Sequence, residues 1–119
     1  MAVDARQVVE DFLALVRPVV IESSAGSGCA VAAVAVGCDA ATDQVPHEAS
    51  AAAFASWVGA LTDRLASAGL PDADAADLAT TLITLLEGAH VLCRAAASVE
   101  PFDRVCRTAT VLVGSRYAG

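Results

Sequence analysis

There is no lysine in this chain. Its seven basic side chains are all arginines, set against fourteen carboxylates, for a net charge of −7. Nucleic-acid binding needs a clustered basic face, so this chain by itself is not expected to hold DNA. Nor should it adhere to anionic membranes. Aromatic residues are scarce as well, at 4%, although 56% of the sequence is hydrophobic and 28 of its 119 residues are alanine. Small side chains of high helical propensity favour closely packed helices over a sheet. They also leave a core thin in bulk, which a partner subunit would help to complete. No apolar run reaches about 20 residues, so no membrane span is expected. Asp4, Glu10 and Asp11 stand where a signal peptide would carry basic residues. The chain reads as one soluble, reduced, cytoplasmic domain over residues 1–119.

Catalytic signatures are missing too. No glycine-rich phosphate loop follows a strand, and there is no G-x-S-x-G elbow. His47 and His90 have no recognisable nucleophile and acid beside them, and His47 next to Glu48 reads as solvated. Neither an enzyme nor a cofactor is expected. The four cysteines, Cys29, Cys38, Cys93 and Cys106, form no C-x-x-C pair, which argues for small core residues over a zinc site. Cys29 follows Gly28 at an expected helix start, where a thiolate is favoured, so it is the one candidate for a reactive thiol; buried, it would be inert. Asp72, Asp74 and Asp77 look like a metal cluster only on paper. They suit the positive end of a helix dipole, and no further ligand is spaced to complete a site.

What is present is helical periodicity. Asp4 with Gln7 three residues on predicts a capping box. Val8, Phe12, Leu15, Val16 and Val19 follow as the apolar stripe of a first helix. Pro18 lies inside it and predicts a kink or an early end; such kinks sometimes open a ligand space and more often are only structural. Ser23 to Gly28 is the clearest break. Cys29 to Cys38 is apolar on every side, and its spacing fits a short buried helix or a buried strand; with no second strand to pair with, helix is favoured. Pro46 opens the next helix. Its stripe is Phe54, Trp57, Val58, Leu61 and Leu65, with Trp57 either a core anchor or a cavity wall. Gly69-Leu70-Pro71 stops it.

The following helix runs to about Ser98 and is expected to place Leu78, Leu82, Leu85, Ala89, Leu92 and Ala96 on one face. Gly88 in its middle costs about 1 kcal/mol relative to Ala, which predicts a close backbone neighbour as compensation. Glu87, His90 and Arg94 fall in one row. That row is either a solvated edge with an ion pair or the polar wall of a cavity. Pro101 opens a last helix with Phe102, Val105, Cys106, Ala109, Leu112 and Val113 on one face, ending at Gly114. The prediction is five helices, the last two a hairpin able to pair with a copy of itself in a four-helix bundle.

Several stretches resemble one family. Gly28-Cys29-Ala30-Val31-Ala32-Ala33-Val34-Ala35, Phe54-x-x-Trp57 and Gly69-Leu70-Pro71 look like the C-terminal regulatory domain of TetR-type repressors. Leu86-Glu87-Gly88-Ala89, Cys93-Arg94-Ala95 and Pro101-Phe102-Asp103 are similar to its LmrA/YxaF-like branch. The resemblance runs from about Phe12 to Leu112, with Ala30 where the family usually has proline.

It implies an all-α, five-helix bundle that senses a small, largely apolar effector and forms a homodimer through its last two helices. The candidate effector contacts are Phe12, Val16, Phe54, Trp57, Leu61, Leu86, Glu87, His90 and Arg94. The candidate dimer contacts are Leu78, Leu82, Leu85, Ala89, Leu92, Ala96, Phe102, Val105, Ala109 and Leu112. In the family, DNA is reached through a helix-turn-helix head before the first helix. Met1 falls roughly where the connecting helix would begin, so DNA contact is expected only through a head this chain does not carry. The alternative reading is a stand-alone headless domain, acting by ligand capture or by heterodimerising with full-length repressors.

Overall fold

The computed structural model describes residues 4–24 and 47–117, and the described residues form four helices with no strand among them. These are α1 (Ala5–Ser24), α2 (His47–Ser67), α3 (Asp72–Ala96) and α4 (Glu100–Tyr117). The fifth helix expected over Cys29–Cys38 lies outside the described residues, as do Cys29 and its expected reactivity.

Several helix ends have a local cause. At the start of α1 the Gln7 amide donates to Asp4 Oδ1 at 2.8 Å, the N-cap bond expected. The reciprocal half of the capping box does not form, because Gln7 Nε2 turns forward and donates to Asp11 Oδ1 at 2.9 Å. The helix passes through Pro18 and continues to Ser24, so the early end is corrected. One missing amide in a helix buried along one face is offset by the packing of that face.

The turn from α2 to α3 is a Schellman motif. Gly69 takes φ +109°, its amide donates to Ala66 O, and the Leu70 amide donates to Leu65 O. Pro71 then precedes Asp72 and Asp74 in the first turn of α3. The α3–α4 turn repeats the motif with alanine in the glycine position. Ala97 sits at φ 52°, its amide donates to Arg94 O, and the Ser98 amide donates to Cys93 O. That stops α3 at Ala96, two residues before the expected end. The Ser98 hydroxyl then accepts the Glu100 amide and opens α4. Helix α4 does not stop at Gly114 but runs on to Tyr117. Gly114 instead faces Arg6 of α1, whose Cδ would lie 3.5 Å from a Cβ placed there.

Helices α3 and α4 form an antiparallel hairpin, with α2 along α3 and α1 along α4. Helix α3 is long and apolar enough to cross a membrane by length and composition. Here it is the core helix that all three others pack against. The buried core is Val9, Val16 and Val20 of α1, Leu61 and Leu65 of α2, Leu82, Leu86 and Cys93 of α3, and Phe102 and Val113 of α4, among others.

Three expected stripes rotate slightly. Leu15 points out of α1 at 71% exposure, and Val9 and Leu13 are buried instead. On α3 the inward face is Leu78, Leu82, Leu86, Ala89, His90 and Cys93, while Leu85, Leu92 and Ala96 turn outward. On α4 Leu112 turns outward, whereas Phe102, Ala109 and Val113 are buried. Nor does a backbone close on Gly88. A Cβ there meets nothing within 4 Å among the described residues.

Candidate functional site

Helices α1 and α2 touch each other less than any other packed pair, and a groove opens between them. Val8, Phe12 and Leu15 of α1 form one wall, spaced four and three apart as a single helical face. Trp57, Leu61 and Arg64 of α2, again four and three apart, form the other, with Ser56 and Ala60 beside them. The cavity is about 310 Å³, within the range of small-molecule sites. A second hollow of about 380 Å³ shares Val8 and Arg64 with it and is lined further by Asp11, Asp63 and Ser67. The first is apolar with one cation at its end. The second carries two carboxylates and Arg64 among Val8 and Ala68.

The expected effector contacts divide. Phe12, Trp57 and Leu61 come together in the groove. Phe54 is half-buried against the core, and Val16 and Leu86 are buried within it. The row on α3 is neither a uniform edge nor a uniform wall. His90 is fully buried, Glu87 is half-buried and Arg94 is exposed, and each takes part in a polar or electrostatic interaction. None of the three lines the groove or the hollow beside it. Sequence reading missed Leu15 and Arg64 as groove residues. Arg64 was recoverable, since it stands seven residues from Trp57 and three from Leu61 on the same helical face; Leu15 was not, because its spacing suited the core equally well.

The expected dimer contacts divide as well. Leu78, Leu82, Ala89, Phe102 and Ala109 are buried in the core of the chain itself, and Val105 is half-buried against it. Leu85, Leu92, Ala96 and Leu112 are exposed. Val91 and Val111, which carried no expectation, join them. On α3, Leu85, Gly88 and Leu92 follow one another at three and four residues along an exposed strip. Between this strip and α4 runs an apolar cavity of about 230 Å³, lined in part by Leu85, Leu112 and Tyr117. Several large aliphatic side chains of the hairpin are thus left exposed.

An ion pair between Arg17 and Asp103 crosses between helices. Arg17 Nε donates to Asp103 Oδ1 at 3.0 Å and its Nη2 donates to Asp103 Oδ2 at 3.1 Å, a fork that ties α1 to the first turn of α4. The hydrogen bond from Arg17, more than its charge, holds the Asp103 carboxyl below its usual 3.8. A depressed carboxyl stabilises the fold above that usual value and loses its contribution as pH falls through the folded pKa. Beside the pair, burial pushes the Cys106 thiol up to about 11, with Asp103 adding to the rise. Two further ion pairs, Arg6 with Glu10 and Arg104 with Glu100, each lie within one helix.

The profile of the family described as transcriptional regulator LmrA/YxaF-like, C-terminal domain, matches residues 5–108. That span covers all of α1, α2 and α3 and half of α4. No curated protein and no solved structure matches the chain significantly.

Proposed function

Because the chain belongs to the family of LmrA/YxaF-like transcriptional-regulator C-terminal domains, we propose that it is the effector-sensing and dimerising part of a TetR-type transcriptional repressor, acting in the cytoplasm without enzymatic activity. The observation that carries this reading is a division of labour in the fold. The α1/α2 side holds an open, largely apolar groove of ligand size. The α3/α4 side exposes Leu85, Val91, Leu92, Val111 and Leu112. Burial of that second face against a copy of itself makes a four-helix bundle around a two-fold axis. Helix α3 underlies both sides, because α2 packs along one of its flanks and α4 along another.

In a regulator of this kind the effector must bind one dimer arrangement better than the other, since equal affinity for both would shift nothing. The arrangement it disfavours is the one that grips DNA through a separate head. The ligand is small and largely apolar, because the groove walls are mainly hydrocarbon and aromatic surface.

The test is a panel of small apolar compounds screened by thermal unfolding, with sedimentation of the same samples. The expected result is a dimer at micromolar concentration and at least one compound that raises the unfolding midpoint. Saturation at 100 times Kd corresponds to about 2.7 kcal/mol of stabilisation. A monomer that no compound stabilises refutes the proposal.

The exposed α3/α4 face supports a second reading, since it could pair with any chain that carries the same hairpin. In that reading the domain stands alone and captures ligand, or draws full-length repressors into mixed dimers. The intact mass of the native gene product decides between them. A value well above 12.0 kDa, with basic sequence at the N-terminus, supports the repressor; 12.0 kDa supports the headless domain.

A further inference from the structure

Of the seven arginines, Arg6, Arg17 and Arg104 each hold a carboxylate at 3.2 Å or less, Arg94 is engaged, Arg116 lies over the Tyr117 ring, and Arg107 directs its charge at Asp103 and Cys106. Arg64 is different. It is exposed, forms no ion pair with any described residue, and stands at the end of the one groove that leaves Phe12, Leu15 and Trp57 uncovered. We propose that the α1/α2 groove takes an amphiphilic carboxylate, its apolar body on Phe12, Leu15 and Trp57 and its carboxylate on the Arg64 guanidinium. This rests on the effector-sensing reading and names the ligand class and the site.

Three features of the groove support it. Leu15 and Trp57 face each other across the cavity from different helices, so an inserted hydrocarbon body covers surface on both at once. Arg64 is seven residues beyond Trp57 on α2, roughly 10 Å at the helical rise, which is the length of an eight-carbon chain or a two-ring aromatic. A guanidinium also offers paired donors to a carboxylate, giving a stronger and more directional contact than a neutral head group makes.

The adjoining hollow sets the polarity. Asp11 and Asp63 line it just beyond Arg64 and repel a carboxylate pushed past the guanidinium. The anionic end is therefore held at Arg64 and the apolar end toward Trp57. The soft seam matters as well, because α1 is anchored mainly to α4, through Arg17 and Asp103 among other contacts, and only loosely to α2. A ligand can enter between α1 and α2 without breaking a well-packed interface.

The experiment uses octanoate, octan-1-ol and octyltrimethylammonium as probes of one apolar length and three head-group charges. Trp57 is the only tryptophan in the chain, so its emission reports occupancy of the groove directly. The expected result is that octanoate binds about tenfold more tightly than octan-1-ol, and that added salt narrows the gap. Arg64→Gln should abolish the difference by weakening octanoate binding about tenfold more than octan-1-ol binding. Ala60→Phe, which fills the groove from the exposed side of α2, should block both.

Equal affinity of octanoate and octan-1-ol, unmoved by Arg64→Gln, overturns the anion assignment and leaves the effector reading standing. Preference for octyltrimethylammonium, lost in Asp63→Asn, overturns it in favour of a cation. If none of the three moves Trp57 emission while another compound stabilises the fold, the groove is not the site. If no compound of any kind binds, the effector reading fails along with it.

Discussion

Gly88 offers the sharpest test of how this domain is assembled. Glycine in a helix interior is about 1 kcal/mol less favourable than alanine, and α3 carries it near its middle, between exposed Leu85 and Leu92. Inside the chain nothing justifies it, since a Cβ at residue 88 would meet no atom within 4 Å among the described residues. Gly88→Ala should therefore stabilise the isolated protomer by roughly 0.5–1 kcal/mol, which for a domain of this size raises the midpoint by about 2–5 °C.

If a second copy packs its backbone against this strip, the added methyl group falls into the contact. The dimer should then weaken by roughly 1–3 kcal/mol, as overpacking does in a filled interior. The two effects have opposite signs and separate with concentration. Thermal unfolding of wild type and Gly88→Ala across the range from nanomolar to 100 µM, with sedimentation at the same concentrations, reads both. The variant is expected to melt higher at low concentration and to dissociate more readily at high concentration. A midpoint raised equally at all concentrations, with unchanged Kd, would refute the inference that Gly88 marks a close approach between protomers. A lower midpoint in the monomer would refute the open space around it.

Leu92→Glu with Leu112→Glu should give a folded monomer: with both side chains largely exposed in the protomer, four copies in a dimer contribute roughly 4 kcal/mol, a thousandfold in Kd. A variant that stays dimeric by light scattering, or loses its helical circular dichroism, contradicts the assigned face. Ala97→Gly should stabilise the chain by roughly 0.5–1 kcal/mol in urea unfolding, because relief of the left-handed strain at φ 52° exceeds the extra chain entropy of glycine in the unfolded state; a destabilised variant would contradict the Schellman turn at that residue. Cys106, at about 11 against an ordinary 9.0, carries roughly 100-fold less thiolate at pH 8 than an unfolded cysteine. Its alkylation, followed by mass spectrometry of its peptide, should be slow in the native protein and rise toward pH 11, and its contribution to stability, complete below pH 9, should be lost over the same interval. Rapid native labelling at pH 8 would contradict the burial.

The helical class, the stop at Gly69-Leu70-Pro71, the N-cap at Asp4 and the family were all legible in the sequence. They rest on local chemistry: a left-handed glycine, a proline without an amide, a carboxylate next to free amides, and an order of short motifs. Which side of each helix faces inward was legible only in outline. Spacings of three and four residues define a stripe about as broad as the difference between Leu85 and Leu86, so the pattern put Leu85, Leu92 and Leu112 on the same faces as Leu82, Phe102 and Ala109, and the fold separates them into exposed and buried.

That choice belongs to the tertiary structure, because it depends on the direction from which each neighbouring helix arrives. Helix α1 lies mainly against α4 and only loosely against α2, which leaves the groove between α1 and α2 with Leu15 in its wall. His90 is buried as well, an imidazole that periodicity had placed in a row with two charged neighbours. Sequence determined which segments became helices and where they ended, since those are contests within a few residues. The fold decided which of their apolar side chains form the core and which remain for a ligand or a second copy.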